Sequence, residues 1–92
     1  MTDCTGRIVR ASAGRDKGGL FCVVGTDPEG LLLLADGKRR RFARPKAKKP
    51  CHVETLAEGF DHPAIQRLKQ GEALSDKALR RALAAFRDQL EV

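Results

Sequence analysis

The residues best suited to chemistry in this chain are the cationic side chains of one segment. The twelve residues from Lys38 to Lys49, KRRRFARPKAKK, include eight basic side chains and no acidic one. Neighbouring cations repel one another unless they are solvated or meet an anion, and phosphate binds them with release of condensed counterions. Lys38–Lys49, called the basic segment below, therefore predicts a surface for a polyanion. A solubilising charged face or an unfolded tail is the alternative interpretation.

The charge of the whole chain is distributed in the same way. The 92 residues carry a formal net charge of +6. Residues 1–54 hold twelve basic and six acidic side chains, whereas residues 55–92 hold six of each. The whole excess lies in the first part of the chain, as expected of an electrostatic footprint for a polyanion. Nucleic acid and an anionic membrane surface are the two partners to consider.

A glycine-rich loop, Gly14–Gly19 (GRDKGG), is a second candidate for binding phosphate. Arg15 and Lys17 are placed to clamp a phosphate, and free N–H groups of the glycine turns are expected to add donors. Asp16 counts against a pure anion site, and an ordinary turn would have a similar composition. The GxxxxGK[ST] spacing of a phosphate-binding P-loop is absent.

The first half of the chain predicts short strands joined by turns. The apolar run Leu20–Gly25 is typical of a strand buried on both faces, and Asp36-Gly37 predicts a two-residue hairpin turn. Arg44–Pro50 resembles a linker. A small, strongly curved barrel is the expected fold, because closure removes exposed strand edges. Its five predicted strands are Gly6–Ser12, Leu20–Gly25, Leu31–Ala35, Lys38–Phe42 and a short one around His52–Leu56.

The second half predicts helices. Pro63 is suited to a helix start before Ala64–Gln70, and Ser75 is a good N-cap for a second, amphipathic helix. We therefore expect a barrel in residues 1–58 and a helical extension in residues 59–92, packed on the barrel or on a partner. The predicted apolar stripe of the second helix comprises Leu79, Ala82, Leu83, Phe86 and Leu90.

Neither catalysis nor a metal or cofactor is expected. His52 and His62 have no nucleophile or carboxylate pair beside them in sequence. Zinc would have Cys4, Cys22, Cys51 and His52 as possible ligands, but only Cys51 and His52 are close in sequence. Adjacent residues on a strand point to opposite faces, which makes joint ligation awkward.

The sequence also predicts a compartment. No apolar run is long enough to span a bilayer, and Met1–Gly6 lacks the charged-then-apolar arrangement of a secretory signal. Three cysteines without a CxxC pair favour reduced thiols. A cytoplasmic protein is therefore expected.

Several of these motifs together resemble a known family. GRIV, AGRDKGGLFCVV and DGKRRRFARPKAKKPCH are similar to KOW-domain RNA-binding proteins, in particular to small bacterial relatives of the large-subunit ribosomal protein fourteen-e group. The resemblance covers about residues 4–56, and Ile65–Phe86 is similar to the helical tail of the bacterial members. The strand, glycine-bearing loop and hydrophobic strand of the KOW signature correspond to Gly6, Gly14, Gly18 and Leu20–Val24. The departures are Cys22 and Cys51, where aliphatic or basic residues are expected.

The resemblance implies an SH3-like barrel that binds ribosomal RNA and is associated with ribosome structure, assembly or translation, with ribosomal proteins as further partners. Recognition would depend on phosphate contacts and shape, because the chain has no Trp or Tyr and only four Phe for stacking on bases. On a strand, Arg39 and Arg41 would share one face. A protein-interaction adaptor that uses the barrel or the second helix is the alternative, and attachment to anionic lipid comes last. The expected RNA contacts are Arg15, Lys17, Lys38, Arg39, Arg40, Arg41, Arg44, Lys46, Lys48, Lys49 and His52.

Overall fold

Five strands, two helices and one short turn of 3₁₀ helix make up the regular structure. The computed structural model describes residues 4–58 and 60–90. The 3₁₀ turn, Pro50–His52, directly precedes the last strand. The strands are β1 (Ile8–Ala11), β2 (Leu20–Thr26), β3 (Leu32–Ala35), β4 (Lys46–Lys48) and β5 (Val53–Ala57), and the helices are α1 (Pro63–Lys69) and α2 (Asp76–Leu90).

The strands form one antiparallel sheet in the order β4-β3-β2-β1-β5. The first four strands follow one another as a meander, and β5 returns to pair with β1, with Ala11 opposite Val53. Within the described residues β4 and β5 are the two edges of the sheet, so the sheet is not closed. The sequence correctly predicts a β-rich chain followed by helices, but the structure does not confirm the expected barrel.

Strand β2 is buried on both faces, as its continuous apolar run predicts. Cys22 belongs to a core cluster that includes the apolar side chains of both helices. Phe21 and Val23 point to the other face, where a second cluster forms. That second cluster contains no helical residue and comprises Val9, Ala11, Phe21, Val23, Leu32 and Leu34, with Cys4 and Val53 packed against it.

The sheet must bend to bury this second face, because strand and loop residues alone cover it. The ladder shifts register between Ile8 and Val9, and again between Val23 and Gly25. Irregularities of this kind increase the local twist and bend of a strand. Both irregularities favour a bend in the sheet, although the ladder does not close.

Both helices lie where their sequence signals predict. The Ser75 hydroxyl accepts a hydrogen bond from Ala78 N at 3.1 Å, which caps α2. His62 Nδ1 accepts from Ala64 N and caps α1. No helix within the described ranges is both long and apolar enough to cross a membrane. The stripe of α2 packs on the sheet through Leu79, Ala82, Leu83 and Phe86, whereas Leu90 is 48% exposed.

The predicted strand Lys38–Phe42 is wrong. Asp36 Oδ1 accepts hydrogen bonds from the backbone N–H groups of Lys38 and Arg40, both at 2.9 Å. Asp76 Oδ1, in the first turn of α2, accepts from Phe42 N at 2.8 Å. These carboxylates take the donors that a strand ladder would need, so the segment forms a loop in place of the predicted two-residue hairpin.

The fourth strand lies instead within Arg44–Pro50, so the linker predicted there is also wrong. Leu32 pairs with Lys48 and Leu34 with Lys46 in the β3–β4 ladder. Lysine and alanine have little intrinsic preference for strands, and here the edge of β3 supplies the partners. Lysines on an edge strand also discourage pairing with other chains.

Gly37 lies in the loop Asp36–Phe42 and packs closely against α2. Its φ is +77°, and a Cβ there would overlap the backbone carbonyl oxygen of Asp76. We expect Gly37→Ala to reduce the free energy of unfolding by more than the roughly 1–2 kcal/mol of left-handed strain alone. Gly30→Ala is the matched control, because Gly30 has φ +87° with nothing within 4 Å of the added Cβ. Urea unfolding of both variants measures the difference, and equal losses would contradict the close packing of Gly37 on α2.

Candidate nucleic-acid interface

The first element of the interface is the loop Ser12–Gly19 between β1 and β2, called the first loop below. Its backbone is closed on itself: Lys17 N donates to Gly14 O, Gly18 N to Ala11 O and Gly19 N to Asp16 O, at 2.8–3.2 Å. These N–H groups are therefore not free for phosphate, contrary to the expectation from the glycines. The loop offers exposed cationic side chains on a fixed backbone.

The basic segment docks on the first loop through two of its own side chains. Arg40 Nη2 lies 3.3 Å from Asp16 Oδ2, and the Asp16 side chain is only 8% exposed. Lys48 Nζ donates to Ala13 O at 2.7 Å. Just beyond the segment, Ser12 N donates to His52 O at 2.8 Å. The basic segment is therefore held against the first loop and is not an unfolded tail.

Two of the predicted contacts consequently have another role. Arg40 and Lys48 are half-buried, and their charged groups bond to the first loop. Their role is therefore to hold the basic segment in position on that loop. Arg39 and Arg41 are exposed while Arg40 turns inward, which is the alternation expected of a strand although the segment is a loop. The remaining predicted contacts are exposed and are called the cationic surface below: Arg15, Lys17, Lys38, Arg39, Arg41, Arg44, Lys46, Lys49 and His52.

The fold does not bring all of these residues to one point. Arg41 and Arg44 lie in the turn before β4, where Arg44 N donates to Arg41 O. No side-chain hydrogen bond or ion pair in the described part of the chain joins them to the first loop. Arg15, Lys17 and Arg39 line one pocket. The first loop and the loop Asp36–Phe42 converge at this pocket.

That pocket contains a cation that the sequence did not indicate. Arg87, in the last turn of α2, lines it together with the loop residues. Arg87 also lines a neighbouring pocket with Lys38 and Arg80. Arg80 and Arg87 are seven residues apart, so they lie on one side of the helix. Their spacing is visible in the sequence, but the face of α2 that meets the loops is set by packing.

The carboxylates of this region are already engaged. Asp16 and Asp36 both line the pocket. Asp16 accepts from Arg40, and Asp36 accepts from two backbone N–H groups. Donors of the protein therefore hold both carboxylates in place, and the four cations of the lining, Arg15, Lys17, Arg39 and Arg87, outnumber them.

The thiols and aromatic rings do not contribute a site here. In the described ranges, no three His, Cys, Asp or Glu side chains are grouped so that they could hold a metal ion. Phe21 and Phe86 are buried, and Phe42 and Phe60 are half-buried. No described Phe ring is therefore fully exposed for stacking on bases.

Comparison with protein-family models and with curated proteins gives no match. The chemistry of the cationic surface therefore carries the functional proposal.

The Cys22 thiol is buried between the sheet and the helices, and its ionisation at high pH tests this packing. Burial raises the pKa of the Cys22 thiol to about 12. Between pH 9 and 12 the unfolded chain loses this proton and the folded chain keeps it, so the free energy of unfolding falls as pH rises. The contribution approaches about 1.4 kcal/mol per pH unit within that window.

Urea unfolding measured from pH 8 to 11 checks this dependence. Cys22→Ala should lose this part of the slope, and Cys51→Ala, which removes an exposed thiol, should retain it. The same slope in both variants would contradict a buried, neutral Cys22.

Proposed function

We propose that this protein binds structured RNA through the cationic surface, and that the RNA is ribosomal. Its role is then in ribosome structure, assembly or translation, in the cytoplasm. The observation that carries the proposal is the docking of the basic segment on the first loop through Arg40–Asp16 and Lys48–Ala13. A fixed backbone presents the outer cations in a defined pattern. Such a pattern can match the phosphates of a folded polyanion, whereas the cations of an unfolded tail have no fixed spacing.

The mode of recognition follows from which side chains are exposed. The cationic surface offers Lys, Arg and His groups for phosphate and 2′-hydroxyl oxygens, whereas no described Phe side chain is fully exposed. Proteins that bind single strands without sequence preference stack bases on aromatic rings. Backbone and shape recognition of a folded RNA is therefore the mode that this surface supports.

The family resemblance supports the same function. KOW-domain proteins are the family that Gly14, Gly18 and Leu20–Val24 resemble, and this likeness implies ribosomal RNA as the ligand. An SH3-like barrel is the finer fold that we propose. The strand order supports it, since β5 pairs with β1 and only a junction between β4 and β5 would be needed for closure.

The form of the adaptor alternative that uses the second helix requires an exposed apolar stripe along α2. Leu79 is 0% exposed, Leu83 4% and Phe86 5%, because they pack on the sheet. Apart from Leu90, the stripe is therefore covered, and RNA binding is the function we advance.

The proposal predicts salt-dependent binding that requires Lys46 and Lys49. We expect the double variant Lys46→Gln, Lys49→Gln to bind fragments of ribosomal RNA roughly tenfold more weakly, equivalent to about 1.4 kcal/mol. The plot of log affinity against log salt should become shallower by about 0.7–0.9 for each lost phosphate contact. Fluorescence anisotropy across a range of salt concentrations measures both quantities.

The control variant is Lys69→Gln, Lys77→Gln, which removes the same charge from the two helices. It should retain nearly full affinity, and unfolding curves of both variants should match that of the parent protein. If the two double variants lose affinity equally, net charge alone would explain binding and the proposed surface would be wrong.

The identity of the RNA is tested by crosslinking in cells and sequencing of the bound RNA. Ribosomal RNA recovered at one location is the expected result. Parallel binding measurements with duplex DNA and with vesicles containing anionic lipid separate RNA recognition from general polyanion binding. Recovery without any RNA enrichment would overturn the proposal.

A further inference from the structure

Helix α2 is fixed to the loop Asp36–Phe42 as well as to the sheet. Arg80 Nη1 donates to Gly37 O at 2.7 Å, and Asp76 accepts from Phe42 N. Gly37 packs so closely on α2 that no side chain would fit between them. The position of the helix relative to the loops is therefore set by several short contacts.

This docking brings Arg87 to the pocket where the loops converge. Arg15, Lys17, Arg39 and Arg87 contribute four cations to its lining, from three separate parts of the chain. None of the four has an ion pair with a described carboxylate. Cations held around one pocket repel each other, and an anion placed between them relieves that repulsion.

The two carboxylates in the pocket lining offset only part of this positive charge. Asp16 is paired with Arg40, a fifth cation, which lies in the basic segment. Asp36 Oδ1 is held by two backbone N–H donors. The pocket, of about 280 Å³, thus combines an outer rim of cations with acidic groups that already have donors.

We propose that α2 forms part of the RNA-binding surface, and that this pocket binds one phosphodiester group of the RNA backbone between Arg87, Arg39 and the first loop. The inference rests on the proposed function and deepens it. The helix is then more than a cover for the sheet, because it contributes Arg87 directly to a phosphate. The RNA backbone would pass from the β4 edge over the first loop to the side of the helix.

The other cations of the helices provide a comparison. Arg67, Lys77 and Arg81 line a separate cleft between α1 and α2. All three are exposed, and no hydrogen bond or ion pair among the described residues holds their side chains. Arg81 therefore offers a control, because it is an exposed arginine of the same helix that lines a pocket without any residue of the first loop.

The first test compares Arg87→Gln with Arg81→Gln in binding to a ribosomal RNA fragment that the parent protein binds. We expect Arg87→Gln to weaken binding roughly fivefold and to reduce the salt slope by about 0.7–0.9. Arg81→Gln should change affinity by less than twofold. Equal effects of the two substitutions would overturn the inference and leave the proposed function standing.

A double-mutant cycle asks whether Arg87 and Arg39 share one phosphate. If they do, Arg39→Gln combined with Arg87→Gln should weaken binding by less than the product of the two single effects, because the first loss already releases the phosphate. Arg39→Gln combined with Arg81→Gln should give the simple product. Independent effects in both pairs would contradict a shared phosphate.

The second test does not need RNA. Titration of the protein with inorganic pyrophosphate, followed by NMR, should shift the amide signals of the first loop and residues 37–40 and the Arg87 side-chain Nε–H. The Arg87→Gln variant should lose most of the loop shifts, and Arg81→Gln should keep them. Shifts in the parent protein without any RNA binding would overturn the proposed function and retain a phosphate pocket, whereas shifts that ignore Arg87→Gln would overturn the pocket.

Discussion

The burial of β2 on both faces is the constraint on which the other elements depend. Cys22 on one face requires the two helices as a cover, and Phe21 and Val23 on the other require the sheet to bend over them. Burial of such side chains contributes roughly 1.5–3 kcal/mol for each large apolar residue, so neither face can be left open without a large loss of stability. Because α2 must lie against this strand, the loops next to the strand ends meet the helix. The cationic surface is thus located by the packing of an apolar strand.

Carboxylates shape the cationic surface from within. Asp16 holds Arg40, Asp36 holds the backbone after β3, and Asp76 holds Phe42 N. Each carboxylate fixes a part of the loop region by accepting a hydrogen bond from a donor of the protein. The backbone that carries the exposed cations is therefore ordered before a ligand binds. Binding then has a smaller cost in conformational entropy, which is the usual advantage of a preorganised surface. Asp16, which counted against a pure anion site in the sequence, holds Arg40 and thereby the basic segment in the structure.

The candidate site was predictable as a stretch of sequence but not as a set of residues with roles. The density of Lys and Arg in the basic segment identified it, and the side chains at its outer positions are exposed as a phosphate surface requires. Arg40 and Lys48 have the same residue types as their neighbours and yet turn inward, because their partners are Asp16 and the Ala13 carbonyl, which lie 24 and 35 residues away. No local pattern encodes such a pairing. Arg87 was not predicted as a contact, because its part of the chain has no net charge. Only the docking of α2 brings Arg87 to the pocket between the loops.

The sequence by itself determined the apolar strands β1–β3, both helices with the Ser75 cap of α2, the apolar stripe of α2 and the location of the excess positive charge. Each of these depends on period, composition or a residue within a few positions, and such signals are complete in a short window of the chain. Tertiary structure decided that Lys46–Lys48 is a strand, because its hydrogen-bond partners come from the edge of β3. At Lys38–Phe42 it adds the bond from Phe42 N to Asp76 to the local bonds of Asp36, and together these bonds make the segment a loop. It also decided which cations face outward and that a helix shares their surface. Those outcomes depend on distances between remote residues, which exist only once the sheet has curved and the helices have packed on it.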